Sequence, residues 1–332
     1  MRSSRIGALV AGAAALLAAG LAAGAATAQT KWDMPTPYND QQFHTLNSRW
    51  FAEEVKKATG GQLEVVVHSN NSLIRLPEIF RAVGGGQVNL GEILLAQFGN
   101  EDPIYEMDAV PFLATGYKQA KILYEVQKPV LAERLAKRNI RLLYSAPWPG
   151  QALYSKNPIT TLADFKGVKF RAFSPGTARL AELMGAVPTT IQLSELSQAF
   201  ATNIVTAMIT SAPGGADTKT WEFAKYFYDT KAFLPRNAVI ANERAFRALP
   251  EAQRNAILEV SARAEERAWM LSEEAEQTAT KKLADNGMTV APPTAQMEKE
   301  FRVIGQTMTE EWLKKAGPDG QKLVDAFRAK AN

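Results

Sequence analysis

The sequence predicts an α/β protein of two lobes braced by one long helix. Strand-like and helix-like segments alternate from residue 31 to residue 209, which favours mostly parallel sheets covered by helices on both faces. An uninterrupted helical segment then runs from Pro250 to about Ala284. Such a helix is on the order of 50 Å long, more than one small domain, so it can brace two. A chain of 332 residues is also long enough to divide into two domains.

The first 28 residues have the composition of an export signal. Arg2 and Arg5 precede an apolar run, and Ala26-Thr27-Ala28 supplies the pattern that a signal peptidase accepts. A membrane anchor is the alternative, because the run approaches the length that spans a bilayer. The dominance of Ala and Gly and the adjoining cleavage site favour export with cleavage after Ala28. No later segment of the sequence is apolar enough to cross a bilayer.

The composition of the remaining chain excludes several kinds of protein. It has no Cys, which excludes disulfides, Cys-bearing zinc sites, cysteine nucleophiles and acylation of a lipoprotein. Its two His are too few for most histidine-rich metal sites. The net charge of +4 falls further once Arg2 and Arg5 are removed, so nothing indicates nucleic-acid binding. We expect no metal, no cofactor and no nucleic-acid partner.

Local patterns place the first elements. The segment 43–55 carries apolar residues at helical spacing, with Asp40 as a candidate cap and Gly60-Gly61 at its end. Residues 63–67 are rich in Val and predict a strand. The elements expected up to residue 96 are an extended stretch at 31–34, helices over 43–55 and 77–83, and strands at 63–67 and 88–96.

The same alternation continues through the middle of the chain. No Pro-rich or Ser-rich linker follows residue 28, so ordered strands are expected to join the lobes. In the long helical segment, the residues expected on one buried side are Ile257, Val260, Ala264, Ala268 and Leu271. The other predicted elements are helices over 117–137, 175–184 and 194–201, and strands at 140–145, 151–155, 168–172 and 204–209.

No catalytic motif is visible. The sequence lacks a G-x-S-x-G elbow, an H-E-x-x-H helix, a P-loop and a G-x-G-x-x-G turn after a strand. His44 falls on a predicted helix, where packing or surface exposure explains it. His68 ends a strand beside a turn and could face a cleft. The sequence therefore indicates no enzyme.

The most informative segment is the strand that contains Arg171. Val168, Phe170 and Ala172 alternate with the polar positions, and Ser174-Pro175 then begins a helix. Arg171 therefore lies near the carboxyl end of its strand, where ligands bind in open α/β sheets. A guanidinium there offers two parallel hydrogen bonds to a carboxylate, beside a helix N-terminus. From the residues alone, a surface arginine remains the competing interpretation.

These residues belong to a longer pattern. The segment from Leu162 to Arg171, together with the motifs around it, resembles the substrate-binding proteins of tripartite ATP-independent periplasmic (TRAP) transporters. The similarity covers nearly the whole chain after residue 28, in order. The flanking motifs are Phe51-Ala52-Glu53-Glu54-Val55, Gly61-Gln62-Leu63-Glu64-Val65, Ala109-Val110-Pro111-Phe112, Gly185-Ala186-x-Pro188, Ser194-Glu195-Leu196 and Asn242-x-x-Ala245-Phe246-x-x-Leu249-Pro250.

The resemblance implies a two-lobed periplasmic-binding-protein (Venus flytrap) fold with a long helix along both lobes. It implies that an organic acid binds in the cleft by its carboxylate, with Arg171 as the clamp. The closed receptor would then deliver this ligand to the small and large subunits of an ion-coupled membrane permease. We expect a periplasmic monomer with no catalytic activity. The expected lobes are residues 29–149 plus about 237–275, and residues 150–236 plus about 276–332.

The chain departs from the common family pattern in three places. Trp148-Pro149-Gly150-Gln151 stands where relatives often carry a second arginine, and Met208-Ile209-Thr210-Ser211 replaces acidic and amide residues. Leu94 and Leu95 occupy a cleft position that is often polar. A second ligand carboxylate would lack a partner, which is costly in a buried site. We expect a ligand with one carboxylate and an apolar or aromatic body.

The predicted ligand contacts come from both lobes. For Trp221, a ligand contact and helix packing are equally good interpretations. Glu92 interrupts a buried-looking strand, and could contact the ligand, hold a cation or pair with an arginine. The predicted contacts are Arg171, Phe173, Gln151 and Thr210 in one lobe and Tyr38, Asn39, Asn70, Leu94 and Gln97 in the other, together with Trp148 and Ser211.

Other functions remain open at this point. A receptor of the same type for C4-dicarboxylates or for 2-oxo or hydroxy acids is one alternative. A periplasmic enzyme or sensor protein that uses the two-lobed fold is another. A receptor for an ATP-driven importer shares the general plan but lacks the long bracing helix.

Overall fold

The computed structural model describes residues 29–331 of the chain. The predicted export signal over residues 1–28 lies outside the described residues. Short helices and 3-10 turns link the strands, most of which pair with strands that are not their neighbours in sequence. The described strands are β1 (Thr30–Pro35), β2 (Leu63–His68), β3 (Leu90–Leu94), β4 (Ile140–Pro147), β5 (Gln151–Ser155), β6 (Lys169–Ala172), β7 (Val187–Thr190), β8 (Ala207–Ser211), β9 (Tyr226–Tyr228), β10 (Arg236–Asn242) and β11 (Thr289–Ala291).

The helices differ greatly in length. The helices Glu251–Asp285 (α8) and Ala295–Ala331 (α9) exceed 30 residues, and the second is interrupted at Gly317, whose φ of 62° breaks the helical path. The described α-helices are α1 (Phe43–Ala58), α2 (Leu76–Gly85), α3 (Tyr117–Ala136), α4 (Pro175–Leu183), α5 (Leu196–Ala201), α6 (Ala212–Asp217), α7 (Glu243–Ala248), α8 (Glu251–Asp285) and α9 (Ala295–Ala331).

The first lobe is built on a sheet in the order β3-β10-β4, with the parallel pair β1-β2 lying against β3. Helix α1 and the first half of α8 cover one face of this layer. Their apolar residues form a core with β4 and β10, because each strand presents alternate side chains to the same face. Trp32, Phe51, Leu143, Val239 and Val260 lie in this core.

The second lobe is built on one sheet of six strands in the order β11-β9-β5-β8-β6-β7. Helices α5 and α6 and the end of α8 pack in the core on one face of this sheet. The other face contributes Phe170 and Leu153 to a core that also includes residues of α4 and the first half of α9. Strand β6 lies between β8 and β7 and is parallel to both. The carboxyl end of β6 therefore points in the same direction as those of its neighbours.

The long helix α8 joins the two lobes, as the sequence predicts. Val260 and Ala264 pack in the core of the first lobe, whereas Ala279 and Leu283 pack in the core of the second. The C-terminal part of α9 lies against α3 and the 3-10 helix Pro103–Ala109, where Trp312 Nε1 donates to the carbonyl oxygen of Pro103 at 2.7 Å. Within residues 29–331, no helix is both long and apolar enough to cross a bilayer.

Two local expectations are wrong. Four of the eight strand pairings within the described residues are antiparallel, so the sheets are not mostly parallel. The reason in the first lobe is β10, which returns from the second lobe and inserts between β3 and β4 in the opposite direction. Asp40 does not cap α1. Its carboxylate pairs with Arg49 and accepts from Ser69 Oγ at 2.8 Å.

Candidate ligand-binding cleft

A cleft lies between the two lobes, where the ends of β1, β3, β6 and β8 meet. It encloses about 510 Å³, including the solvent at its mouth. Sixteen residues from both lobes line it: Pro37, Tyr38, Asn71, Leu76, Leu94, Gln97, Trp148, Gln151, Arg171, Phe173, Gln192, Leu193, Ser194, Thr210, Ser211 and Pro235.

Arg171 lies at the base of the cleft and is 3% exposed. Its Nε donates to the carbonyl oxygen of Ile191 at 2.9 Å, and its Nη1 donates to that of Ile209 at 3.3 Å. Nη2 has no hydrogen-bond partner among residues 29–331, and no carboxylate of that range forms an ion pair with the guanidinium. Burial lowers the pKa of Arg171 to about 9, so the side chain remains cationic at neutral pH. The guanidinium is fixed by two backbone oxygens and is free to accept an anionic partner.

The turn after β6 fixes the direction of Phe173. Ser174 caps α4 as predicted, with its Oγ accepting from the backbone N–H of Thr177 at 3.2 Å. Thr177 Oγ1 accepts from the N–H groups of Phe173 and Ser174, both at 2.9 Å. These reciprocal bonds hold the chain at the point where it leaves the strand. Arg171 and Phe173 share one face, with the guanidinium carbon 5.1 Å from the ring centroid.

Charge in the cleft comes from one residue. Among its sixteen lining residues, Arg171 is the only one with a charged side chain. The other polar groups are amides, hydroxyls and backbone atoms. Gln151 is 3% exposed, and its Nε2 donates to the carbonyl oxygen of Pro149 at 2.9 Å. An anion with a single charge is therefore matched by the cleft, whereas a second charge of either sign has no ionic partner there.

Aromatic side chains form the wall on the side of the first lobe. Trp148 and Tyr38 meet edge to face, with ring centroids 5.1 Å apart. The indole Nε1 and the tyrosine hydroxyl both donate to Asn237 Oδ1, at 2.9 and 3.0 Å. His44 packs behind Trp148 at 4.4 Å and is fully buried. It therefore has the packing role that its helix position favours.

Polar contacts close the cleft from both sides. Gln97 Nε2 donates to Gln192 Oε1 at 3.0 Å, and Asn71 Nδ2 donates to Ser194 Oγ at 3.4 Å. Arg75 pairs with Glu195 nearby. In each pair one residue belongs to the first lobe and the other to the second. The structure is therefore in a closed conformation.

A second cavity adjoins the cleft at its mouth. Asn39 and Asn70 line this cavity and not the cleft that contains Arg171, so the structure separates these two predicted contacts from the other nine. Here Gln42 Nε2 donates to Asp217 Oδ2 across the lobes. Burial raises the pKa of Asp217 from 3.8 to about 6, against the opposing effect of Lys282.

Three further residues of interest lie away from the cleft. Trp221 packs against the core of the second lobe, with Lys282 Nζ 5.8 Å from its ring centroid. His68 Nε2 lies 2.7 Å from Asp33 Oδ1. Glu92 is 1% exposed and lies behind the wall of the cleft in contact with Asn237. None of the three lines either cavity.

The sequence interpretation misses several lining residues. Gln192, Leu193 and Ser194 directly follow β7, so the strand-end rule that identifies Arg171 could have found them. Asn71 is the neighbour of the predicted Asn70 in the same turn, and both have positive φ, 57° and 56°. A shift of one residue in such a turn directs a side chain elsewhere. Leu76 and Pro235 carry no comparable signal, because an isolated apolar residue is ordinary.

Comparison with known proteins agrees with this architecture. A model of the bacterial extracellular solute-binding proteins of family 7 matches residues 36–315, a range that includes most of both lobes and all of the cleft. The chain belongs to this family. It is a substrate-binding protein of the TRAP transporter type, a receptor for small organic acids, and its family consists of receptors and not of enzymes.

Two solved structures are particularly similar to this solute-binding protein. DctP7, a Bordetella pertussis extracytoplasmic solute receptor binding pyroglutamic acid, is 47% identical, with a TM-score of 0.89 over 90% of this chain and 99% of the other. A marine metagenome TRAP solute-binding protein specific for pyroglutamate is 37% identical, with a TM-score of 0.90 over 91% and 99%. A more distant relative, the C4-dicarboxylate-binding protein DctP of Rhodobacter capsulatus, is 27% identical over 84% of this chain and 85% of its own.

Proposed function

We propose that this solute-binding protein is a receptor for pyroglutamate or a closely similar cyclic monocarboxylate. The observation that carries the proposal is the buried guanidinium of Arg171, the one charged side chain among the sixteen described residues that line the closed cleft. Pyroglutamate has one carboxylate, and its nitrogen is part of a neutral ring amide. The solved relatives at 47% and 37% identity that bind this compound support the same choice.

The charge of the cleft argues against other organic acids. Glutamate carries an ammonium group and a second carboxylate, and no lining residue offers either group an ionic partner. Succinate and malate would leave one carboxylate uncompensated, which is costly inside a closed cleft. The C4-dicarboxylates bound by the more distant relative are therefore the poorer candidates. The neutral ring amide of pyroglutamate requires only hydrogen bonds, which Gln151, Thr210 and Ser211 can provide.

Binding is coupled to closure in this proposal. Only contacts from both lobes can favour the closed state over the open one. Arg171 and Phe173 would hold the carboxylate from the second lobe, while Tyr38, Leu94 and Gln97 would enclose the ring from the first. The lobe boundaries that we propose are residues 29–149 plus about 237–275, and residues 150–236 plus about 276–332. The end of α9 also contacts the first lobe and would help to guide the motion.

Delivery of the ligand completes the proposed function. We propose that residues 1–28 direct export to the periplasm and are cleaved after Ala28. The closed receptor, as a monomer, would then dock on the small and large membrane subunits of a TRAP permease. Pairing of this kind follows from family membership. A direct test is uptake of labelled pyroglutamate by vesicles that contain the permease, with and without the purified receptor.

A binding experiment tests the ligand assignment. The purified protein is unfolded, dialysed and refolded to remove any bound compound, and then titrated calorimetrically with pyroglutamate, proline, glutamate and succinate. We expect micromolar or tighter binding of pyroglutamate and at least 100-fold weaker binding of the other three. Arg171→Ala should abolish binding while the unfolding temperature of the empty protein stays nearly unchanged.

Arg141→Ala is the matched control, because Arg141 is also partly buried but pairs with Glu243 outside the cleft. This variant should bind pyroglutamate as the wild type does. Undiminished affinity in Arg171→Ala, or tighter binding of succinate than of pyroglutamate, would contradict the proposed function.

A further inference from the structure

Glu92 lies in the first lobe, in β3, directly behind the aromatic wall of the cleft. Its Oε2 accepts from Thr36 Oγ1 at 2.6 Å and from Ser48 Oγ at 3.4 Å. Its Oε1 accepts from Asn237 Nδ2 at 2.8 Å and lies 3.5 Å from His44 Nδ1. The carboxyl group is therefore held by partners from three segments of the first lobe, and it does not line the cleft.

Asn237 connects this carboxylate to the cleft wall. It is fully buried in β10, and its Oδ1 accepts two hydrogen bonds, from the Tyr38 hydroxyl and from Trp148 Nε1. A primary amide has an accepting end and a donating end and can occupy a site in two orientations. Tyr38 and Trp148 donate to one end of the Asn237 amide, and the carboxyl group of Glu92 accepts at the other end. This arrangement is compatible with only one of the two amide orientations.

We propose that Glu92 is a positioning residue for ligand binding, which acts through the amide of Asn237 to fix Tyr38 and Trp148 in the cleft wall. The inference rests on the proposed function only in treating this cleft as the ligand site. Asn237 Nδ2 donates to Glu92 Oε1, and an oxygen that accepts in this way fixes the donating end of the amide towards itself. The accepting end then faces the two aromatic side chains.

This arrangement determines what the wall offers to a ligand. The hydroxyl proton of Tyr38 and the indole proton of Trp148 are both committed to Asn237. The two side chains therefore present ring surface, and Tyr38 its remaining lone pairs, to the cleft. If Asn237 turns over, its NH₂ group meets the indole N–H of Trp148, which can only donate, so that hydrogen bond is lost, and the Tyr38 hydroxyl must rotate from donating to accepting. The rings then lose their fixed orientation, and a rigid wall becomes a mobile one.

Other roles for Glu92 fit the contacts less well. The carboxylate does not line the cleft, so it does not touch a ligand bound there. Within residues 29–331, no arginine forms an ion pair with it and no cluster of three metal-ligating side chains includes it. A purely structural role predicts that any variant that keeps the fold also keeps the affinity. The positioning role predicts otherwise.

The experiment compares Glu92→Gln with Glu92→Met. A glutamine at this position can accept from Asn237 with its oxygen and donate to the hydroxyls of Thr36 and Ser48. The affinity of the Glu92→Gln protein for pyroglutamate should therefore stay within about threefold of wild type. The methionine variant has a similar size but no acceptor, and should bind at least tenfold more weakly. In a Tyr38→Phe background the same Glu92→Met change should cost clearly less, because the two residues act in series.

A doubly apolar variant guards against misfolding. Glu92→Met combined with Asn237→Leu leaves neither partner of this hydrogen bond as an unpaired buried polar group. Asn237→Leu also removes the acceptor of Tyr38 and Trp148, so the double variant should retain the circular dichroism of the wild type and bind at least as weakly as Glu92→Met. Emission attributable to Trp148, obtained by subtraction of Trp148→Phe spectra, should shift in the ligand-free double variant and remain unchanged in Glu92→Gln.

The outcomes separate this inference from the proposed function. If wild-type protein does not bind pyroglutamate, the ligand assignment fails, while the ligand-free emission of Trp148 still tests the positioning role. If wild type binds but the folded methionine variant has the same affinity, the positioning role is wrong. It is also wrong if Glu92→Gln weakens binding as much as Glu92→Met.

Discussion

The guanidinium of Arg171 stands over the ring of Phe173, with its carbon 5.1 Å from the ring centroid. The two residues are two positions apart at the end of β6, so strand alternation puts them on one face. The ring covers one side of the cation and leaves its free Nη2 edge available. Among the residues that line the cleft no other side chain is charged, so in our proposal this pair defines where a carboxylate binds.

We predict that Phe173→Leu lowers the affinity for pyroglutamate by about three- to tenfold. A cation–π contact of this kind contributes about 0.5–2 kcal/mol, depending on desolvation. Isothermal titration calorimetry measures the change. Phe246→Leu is the matched control, because Arg141 lies 4.3 Å from the Phe246 ring centroid outside the cleft. Equal affinities for wild type and Phe173→Leu would show that the ring does not orient the clamp.

The contact between Gln42 and Asp217 predicts that affinity depends on pH. Burial in the closed conformation raises the pKa of Asp217 to about 6, and we expect opening of the cleft to expose this side chain and return its pKa towards the ordinary 3.8. The closed state therefore binds a proton more tightly than the open state. The stabilisation of the closed state that results is complete below the pKa of Asp217 in the open state. It is lost as the pH rises through the pKa of Asp217 in the closed state.

Affinity for pyroglutamate should therefore increase roughly tenfold from pH 7.5 to pH 5, where the α-carboxylate of the ligand is still ionised. Asp217→Asn imitates the protonated side chain. It should bind more tightly than wild type at pH 7.5 and lose most of the pH dependence. Titrations of both proteins at several pH values provide the measurement. A flat wild-type profile, or an unchanged slope in the variant, would contradict this coupling.

Gly215 lies where the surrounding side chains leave no room for a larger residue. A Cβ added to Gly215 in α6 would lie 2.6 Å from Tyr154 Cζ, and Tyr154 is fully buried. Because such a core has no room to relax, Gly215→Ala should destabilise the fold by about 1–3 kcal/mol. A fall of several degrees in the unfolding temperature would register this change.

Gly85→Ala serves as the comparison, because a Cβ at Gly85 meets nothing within 4 Å and the residue is helical. Alanine is the better helix former, so this variant should unfold at the wild-type temperature or above it. If both substitutions leave the unfolding temperature unchanged, the packing around Tyr154 is looser than the structure indicates.

Local patterns predict the parts of the site that depend on a few consecutive residues. The alternation around Arg171 and the Ser174-Pro175 cap determine the clamp within one strand and one turn. The long helix α8 can also be predicted from its own segment, because an uninterrupted amphipathic pattern indicates a helix without reference to the rest of the chain. Nine of the eleven predicted contacts line the cleft, but Trp148, Gln151, Thr210, Ser211 and Leu94 are predicted from the resemblance to TRAP substrate-binding proteins and not from local patterns.

Contacts between distant segments do not follow from such patterns. Gln42 and Asp217 are 175 positions apart and meet only because the lobes close on each other. The role of Glu92 depends on Asn237, which reaches it through the insertion of β10 beside β3. A strand that returns from another lobe carries no local signal of where it will pair. Non-local pairing of this kind also explains why half of the described strand pairs are antiparallel.

The neutral side chain of Gln151 predicts a change of ligand class. It is buried, and only Arg171 supplies positive charge to the lining of the cleft. Gln151→Arg would add a second buried cation that a monocarboxylate cannot compensate. We expect affinity for pyroglutamate to fall at least tenfold, and binding of glutarate, which has two carboxylates, to become measurable.

Gln151→Met is the control, because methionine has a similar size but no charge. This variant should bind pyroglutamate more weakly than wild type, and it should not gain affinity for glutarate. Competition titrations of both acids against the three proteins distinguish charge from shape. If Gln151→Arg still prefers pyroglutamate by the wild-type ratio, the number of cations in the cleft does not determine which acid is bound.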